Sequence, residues 1–194
     1  MITDPRPRGT AKRAEYDRSD QMTALSVPED SRLHELALGI ESALASESKT
    51  HVRTSCERFL EEAGRLYAVS CPKIRVLESR PLRVRETGVS ELFGDYQLET
   101  ALIRIWMRTA VRERMTSFGT FISTLCHEIC HHLDLMQLGF PNSFHTRGFY
   151  GRTAVLYHHC RGTPLRPLLW RRIPNDRWRV DWVWMRGPRM QVRS

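Results

Sequence analysis

The strongest constraint on this chain is the stretch from Thr116 to Pro141, TSFGTFISTLCHEICHHLDLMQLGFP, which reads as one helix with both ends marked. Thr116 or Ser117 can cap its start, and Gly139 followed by Pro141 stops it after about Leu138. Phe118, Ile122, Leu125, Ile129, Leu133 and Met136 fall on one stripe at helical spacing. His127 and His131 project nearly opposite, with Thr120, Thr124 and Leu138. Such a helix has to bury one side in a core while it presents two imidazoles on the other.

Residues 127–131 are HEICH, an HExxH pattern. On a helix, residues i and i+4 lie about 40° apart and one turn apart along the axis, so both imidazoles can reach one ion. Glu128 lies about 100° around from His127, where it flanks the ion without ligating it. A carboxylate placed there can take a proton from a water that the ion acidifies. The pattern therefore points to metal-assisted hydrolysis, with Glu128 as the base.

A third ligand is needed. The continuation HExxHxxGxxH has Asp134 and Gln137 in place of its Gly and His, and no Glu follows Glu128 anywhere in the chain. Asp134 is too close to His131 on the same helix to reach round, and Asp176 and Asp181 sit in an irregular Arg-rich tail. His145, His158 and His159 remain. His145 opens the next predicted helix, which Ser143 is expected to cap and which runs to about Cys160, after a turn that can fold it back over the first. His158 and His159 lie more than three turns away, at its far end.

Residues 145–149, HTRGF, match the H-x-x-x-F pattern that follows HExxH in the SprT-like (Spartan) and WLM-type metallopeptidases, and residues 31–160 resemble that family. The resemblance implies zinc on His127, His131 and His145, catalytic Glu128, and Phe149 packed beneath the site. It also implies a small preceding sheet, with the strand at Ala101–Met107 as the edge strand over the active-site helix. An extended peptide could add to such an edge. Many members carry a zinc ribbon or another DNA-binding module, and this chain lacks the cysteines for a ribbon.

Other residues near the motif have two readings each. His132 could bond Glu128 or serve structurally, and Asp134 could orient a ligand imidazole. Tyr150 or Tyr157 could donate to an oxyanion, although either also suits plain packing. His158 and His159 are read as a solvated helix end.

Upstream, residues 1–30 are rich in Pro, Arg, Asp and Ser, which predicts a disordered arm. Helices are expected from about Ser31 to Ala45 and from Thr50 to Ala68, ended by Ser70-Cys71-Pro72. Lys73–Glu78, Phe93–Leu98 and Ala101–Met107 read as strands, with a loop of open shape over Arg80–Glu91. Downstream, Trp178–Met185 alternates and reads as one late strand.

Of the formal net charge of +8, most lies after Cys160, where nine arginines face two aspartates. Trp170, Trp178, Trp182 and Trp184 are interleaved with them. The tail either packs its Trp face on the domain, leaving Arg solvated, or offers single-stranded nucleic acid a surface of phosphate and stacking contacts. Five cysteines without a CxxC pair, namely Cys56, Cys71, Cys126, Cys130 and Cys160, fit reduced buried thiols better than a disulfide framework. No apolar run reaches the ~20 residues of a membrane helix, and no signal peptide is apparent, so a cytoplasmic protein without membrane contact is expected.

The expected fold is a small α+β, zincin-like domain over 31–160. It holds N-terminal helices, a short antiparallel or mixed sheet, and the HExxH helix followed by a third-ligand helix. The N-terminal arm (1–30) and the Arg/Trp-rich tail (161–194) flank it. The expected activity is zinc-dependent hydrolysis of a protein or peptide substrate. The competing expectation is a nucleic-acid-associated binding protein with a structural or relic zinc site.

Overall fold

A computed structural model describes residues 1–85 and 88–182. Its first half opens on a helix the sequence did not announce and then follows the expected order of two helices and a strand. Helix α1 (Thr10–Gln21) precedes a helical pair, α2 (Leu33–Ala45) and α3 (Lys49–Tyr67), and strand β1 (Lys73–Ser79) follows. Ser48 caps α3 by accepting a hydrogen bond from the His51 amide, and Ala68 ends the helix in a left-handed conformation. Next come a hairpin, β2 (Leu82–Arg85) and β3 (Gly88–Glu91), and strands β4 (Gly94–Gln97) and β5 (Leu102–Arg108). Helices α4 (Phe118–Met136) and α5 (Arg147–Arg161) and a last hairpin, β6 (Trp170–Ile173) and β7 (Arg177–Val180), complete the described part. The mixture of helices and small sheets is α+β, as expected.

The main sheet has the order β1-β5-β4, with β1 parallel and β4 antiparallel to β5. Strand β5 is therefore central, which corrects its expected place at the edge. Ile103, Ile105, Trp106 and Met107 are all buried, as suits a strand flanked on both sides. The edge strand is β4, whose polar sequence GDYQ suits that position. Asp95 on β4 stands opposite Arg104 on β5 and accepts a hydrogen bond from its Nε at 2.8 Å. The region 80–91, open in shape from sequence, contains the β2–β3 hairpin.

Helix α4 packs against α5, α2, β4 and β5. Its inner face buries Phe121, Ile122, Leu125, Ile129 and Leu133 together with Cys126 and Cys130, while Met136 at the end of the expected stripe is exposed. Ser117 caps the helix, accepting from the Thr120 amide. The cap of α5 is Thr146, not Ser143: Thr146 Oγ1 accepts from the Phe149 amide at 3.0 Å. His145 thus lies just ahead of the helix rather than in its first turn.

Two further corrections concern the ends of the chain. Residues 1–30, expected to be a disordered arm, contain α1, which docks on α5. The contact is polar, so an apolar pattern could not announce it. Glu15 accepts from the Asn142 amide and side chain at 2.8 and 2.6 Å, Ser19 Oγ lies 3.0 Å from Thr146 Oγ1, and Asp20 pairs with Arg147. At the other end, the late strand begins as β7, and β6, which the sequence did not announce, pairs with it. Residues 1–3 join this hairpin: Thr3 N donates to Trp178 O at 2.8 Å and Ile2 bridges to Arg179. The strand ends at Val180, short of the expected Met185, and residues 183–185 lie outside the described residues.

Candidate metal centre

Helix α4 carries His127 and His131 one turn apart on the side away from the core, and the 137–146 segment turns back to place His145 against them. The Nε2 atoms of His127 and His145 are 3.0 Å apart, and those of His127 and His131 are 3.2 Å apart. Nitrogens bound tetrahedrally to zinc at ~2.0–2.1 Å would be roughly 3.3 Å from one another. The three histidines therefore lie close enough to bind one metal ion. His158 and His159 do not take part. His158 Nδ1 pairs with Thr163 Oγ1, and His159 Nε2 with Ser31 Oγ.

Phe149 floors the site. It is fully buried, with its ring centroid 4.9, 4.5 and 5.2 Å from those of His127, His131 and His145. Burial pushes the His127 imidazolium down to about 3, and the neighbouring His145 adds to the shift. Burial, followed by the nearby His127, His145 and Arg152, likewise holds His131 well below the usual histidine range. Both rings are neutral at pH 7, the form that binds a metal.

The histidines are held from behind. His131 Nδ1 is 2.8 Å from Ser143 Oγ, which donates to Asp134 Oδ2 at 3.0 Å. Asp134 in turn accepts from buried Arg152 at 2.8 Å. Asp134 thus reaches the His131 ring through Ser143 rather than directly. Ser143 occupies the left-handed region at φ 39°, a conformation that costs a non-glycine residue ~1 kcal/mol. On His145, the backbone amide donates to Asp4 Oδ2 at 2.9 Å, and the same oxygen lies 3.3 Å from Nδ1.

Glu128 is buried on the flank of α4 next to β4. Burial raises its carboxyl to about 8, and Asp95 adds to the shift. A divalent cation on the imidazoles would act in the opposite sense, because a nearby positive charge favours the carboxylate. The close approach of β4 to this carboxylate depends on Gly94. A Cβ there would sit 2.6 Å from Thr124 Cγ2 and 3.0 Å from Glu128 Oε1.

The remaining sequence candidates are structural. His132 bridges Tyr96 Oη at 2.8 Å and Ser70 O at 2.7 Å, so it ties α4 to the sheet and does not bond Glu128. Tyr150 donates to Ile2 O at 3.0 Å, and Tyr157 packs on the core.

A cleft of about 430 Å³ opens in front of the three histidines, lined also by Asp4, Gly94, Asp95, Tyr96, Glu128 and Asn142. A larger depression of about 540 Å³, between α2 and α3, is lined by charges that pair with one another, Arg32 with Glu35 and Arg65 with Glu62. It carries no group set up for chemistry.

Sequence reasoning missed Asp4, Ser143 and Gly94 as parts of the site. Ser143 carried a weak signal as a polar residue between the motif and His145. Asp4 carried none, since it meets His145 across 141 positions. No protein-family model, curated protein or solved structure matches this chain, so the functional reading rests on the site itself.

Proposed function

We propose that this chain is a zinc-dependent metallopeptidase with a zincin-like, SprT-like helix pair at its centre. One observation carries the reading. The Nε2 of His127 lies 3.0 Å from that of His145 and 3.2 Å from that of His131, and all three ligand atoms lie within 4.8 Å of one another beside a buried carboxylate that lines the same open cleft. Three imidazoles with an open position suit zinc best. Bound there, the ion would supply Lewis-acid polarisation of a carbonyl and acidification of a water.

The chain's own groups supply the rest. His127, His131 and His145 hold the ion. Glu128 would accept the proton of the attacking water and return it to the leaving amine, since the positive charge of an ion on the imidazoles favours its carboxylate form. The free edge of β4 borders the cleft through Gly94, Asp95 and Tyr96, where an extended peptide can pair with the strand.

The structural-zinc alternative has less support. Among the described residues the cluster holds three ligands, whereas a structural site is ordinarily closed by four. The residues that might have closed it are engaged elsewhere: His158 and His159 as above, and Cys160 beside Cys126 with their sulfurs 4.0 Å apart. A nucleic-acid surface on the tail also loses part of its basis. Trp170 packs on Tyr150, and Trp178 lies under Arg147, which turns two of the tail's four tryptophans to packing.

The test is elemental analysis of the purified protein beside hydrolysis of an unfolded protein substrate. Wild type and Glu128→Gln are each expected to hold one zinc per chain, and only wild type to cleave. His145→Ala is expected to lose the metal. Wild-type protein that takes up no zinc when supplied with it would overturn the reading.

A further inference from the structure

His145 differs from the other two candidate ligands in how it is held. His127 and His131 are fixed by the helix that carries them, whereas His145 comes from the loop ahead of α5. Its place is set by an unusual partner, the first few residues of the chain. Asp4 N donates to His145 O at 2.9 Å, and His145 N donates to Asp4 Oδ2 at 2.9 Å, so the two residues clasp each other through backbone and side chain. The same Oδ2 lies 3.3 Å from Nδ1 of the ring, while Nε2 of that ring faces His127.

Asp4 is itself held from several directions. Its carbonyl accepts from Tyr16 Oη of α1 at 3.1 Å. The residues before it pair with β7: Thr3 N donates to Trp178 O, Trp178 N donates to Thr3 Oγ1, each at 2.8 Å, and Val180 N donates to Met1 O at 3.2 Å. Tyr150 of α5 donates to Ile2 O. A segment tied to α1, α5 and the last hairpin thus ends on the outer nitrogen of one candidate ligand.

Resting on the metal-site reading above, we propose that Asp4 is a positioning residue of the metal centre. Its carboxylate fixes the orientation and tautomer of His145, with the proton on Nδ1 and the lone pair of Nε2 turned to the ion. A carboxylate on the far nitrogen of a ligating imidazole also strengthens the imidazole as a donor. In this arrangement residues 1–4 and the last hairpin that holds them support the metal centre.

The test is zinc affinity, measured by competition with a chromophoric chelator, on the full chain. Asp4→Ala is expected to weaken zinc binding about 10- to 100-fold, the usual loss when such an outer carboxylate is removed. Asp4→Asn, which keeps an acceptor oxygen without the charge, is expected to lose less than Asp4→Ala. With cobalt as the probe, its visible absorption band is expected to differ from that of wild type. Thr3→Ala removes a neighbouring tie of the same segment but leaves Asp4 in place, so its affinity is expected to stay near wild type. Unchanged affinity in Asp4→Ala, or an equal loss in Thr3→Ala, would overturn the role of Asp4 while leaving the three-histidine site standing. Wild-type protein without affinity for zinc would overturn both.

Discussion

Gly94 has no side chain, and α4 leaves no room for one. The Cβ of an alanine there would meet Thr124 Cγ2 at 2.6 Å and Glu128 Oε1 at 3.0 Å, so β4 or the helix has to move. Overpacking of this kind costs roughly 1–3 kcal/mol. Gly94→Ala is therefore expected to lower the urea midpoint and to impair hydrolysis, because the strand that borders the cleft and the carboxyl beside it shift together. Adding Thr124→Ser removes the methyl that makes the closer clash and should recover part of the stability, as a double-mutant cycle would show. If Gly94→Ala alone leaves stability and activity at wild-type values, β4 does not approach α4 this closely. At this scale the sequence was legible where chemistry is local. His127, Glu128 and His131 sit within five residues, and one helix explains their geometry. His145 was one of three candidates until the resemblance singled it out. Asp4 and Arg152 were illegible because each acts on a partner that only the tertiary fold brings near.

Among the elements, α1 was misread and α4 was read well, for the same reason. An apolar stripe predicts burial, and α4 has one. Helix α1 buries only Glu15, Tyr16 and Ser19, and its attachment is a set of charged and hydroxyl contacts to the 142–152 region. The complementary signal lay in α5, in two glycines one turn apart. A Cβ at Gly148 would stand 1.9 Å from Ser19 O, and one at Gly151 would stand 3.0 Å from Thr23 O. Glycine inside a helix is unfavourable by roughly 0.5–1 kcal/mol relative to alanine, so its presence there marks a close neighbour. This fixes the sign of a prediction. Were α1 free, Gly148→Ala would stabilise α5. With α1 docked, the substitution is expected to expel it, lower the melting temperature and open residues 10–22 to limited proteolysis while α2–α5 stay protected. The sheet order was misjudged on different grounds. The apolar run of β5 fits a central strand and the polar β4 fits an edge, but strand order along a sheet is a tertiary property that neither run states alone.

Across the whole molecule, residues 1–4 lie between the last hairpin and His145 of the candidate site. The contact joins residues some 175 positions apart, beyond any local pattern. The thiols report on how well the rest of the body closes. Cys56, Cys126, Cys130 and Cys160 are buried, whereas Cys71 is exposed. Burial raises the thiols of Cys56 and Cys126, and it pushes that of Cys130 up to about 12. Burial raises the Cys71 thiol as well, so exposure rather than acidity sets it apart: a reagent reaches its thiolate at pH 8 but not those of the buried four. Titration of native protein with a thiol reagent at pH 8 is therefore expected to find one fast group, to lose it in Cys71→Ser, and to reach the remaining four only as denaturant unfolds the chain. Cys126 and Cys160 lie at the contact between α4 and α5, directly behind the histidines. Fast native reaction at either would mean that the two helices part readily. A site that takes His127 and His131 from one helix and His145 from the loop leading into the other could not then hold its geometry.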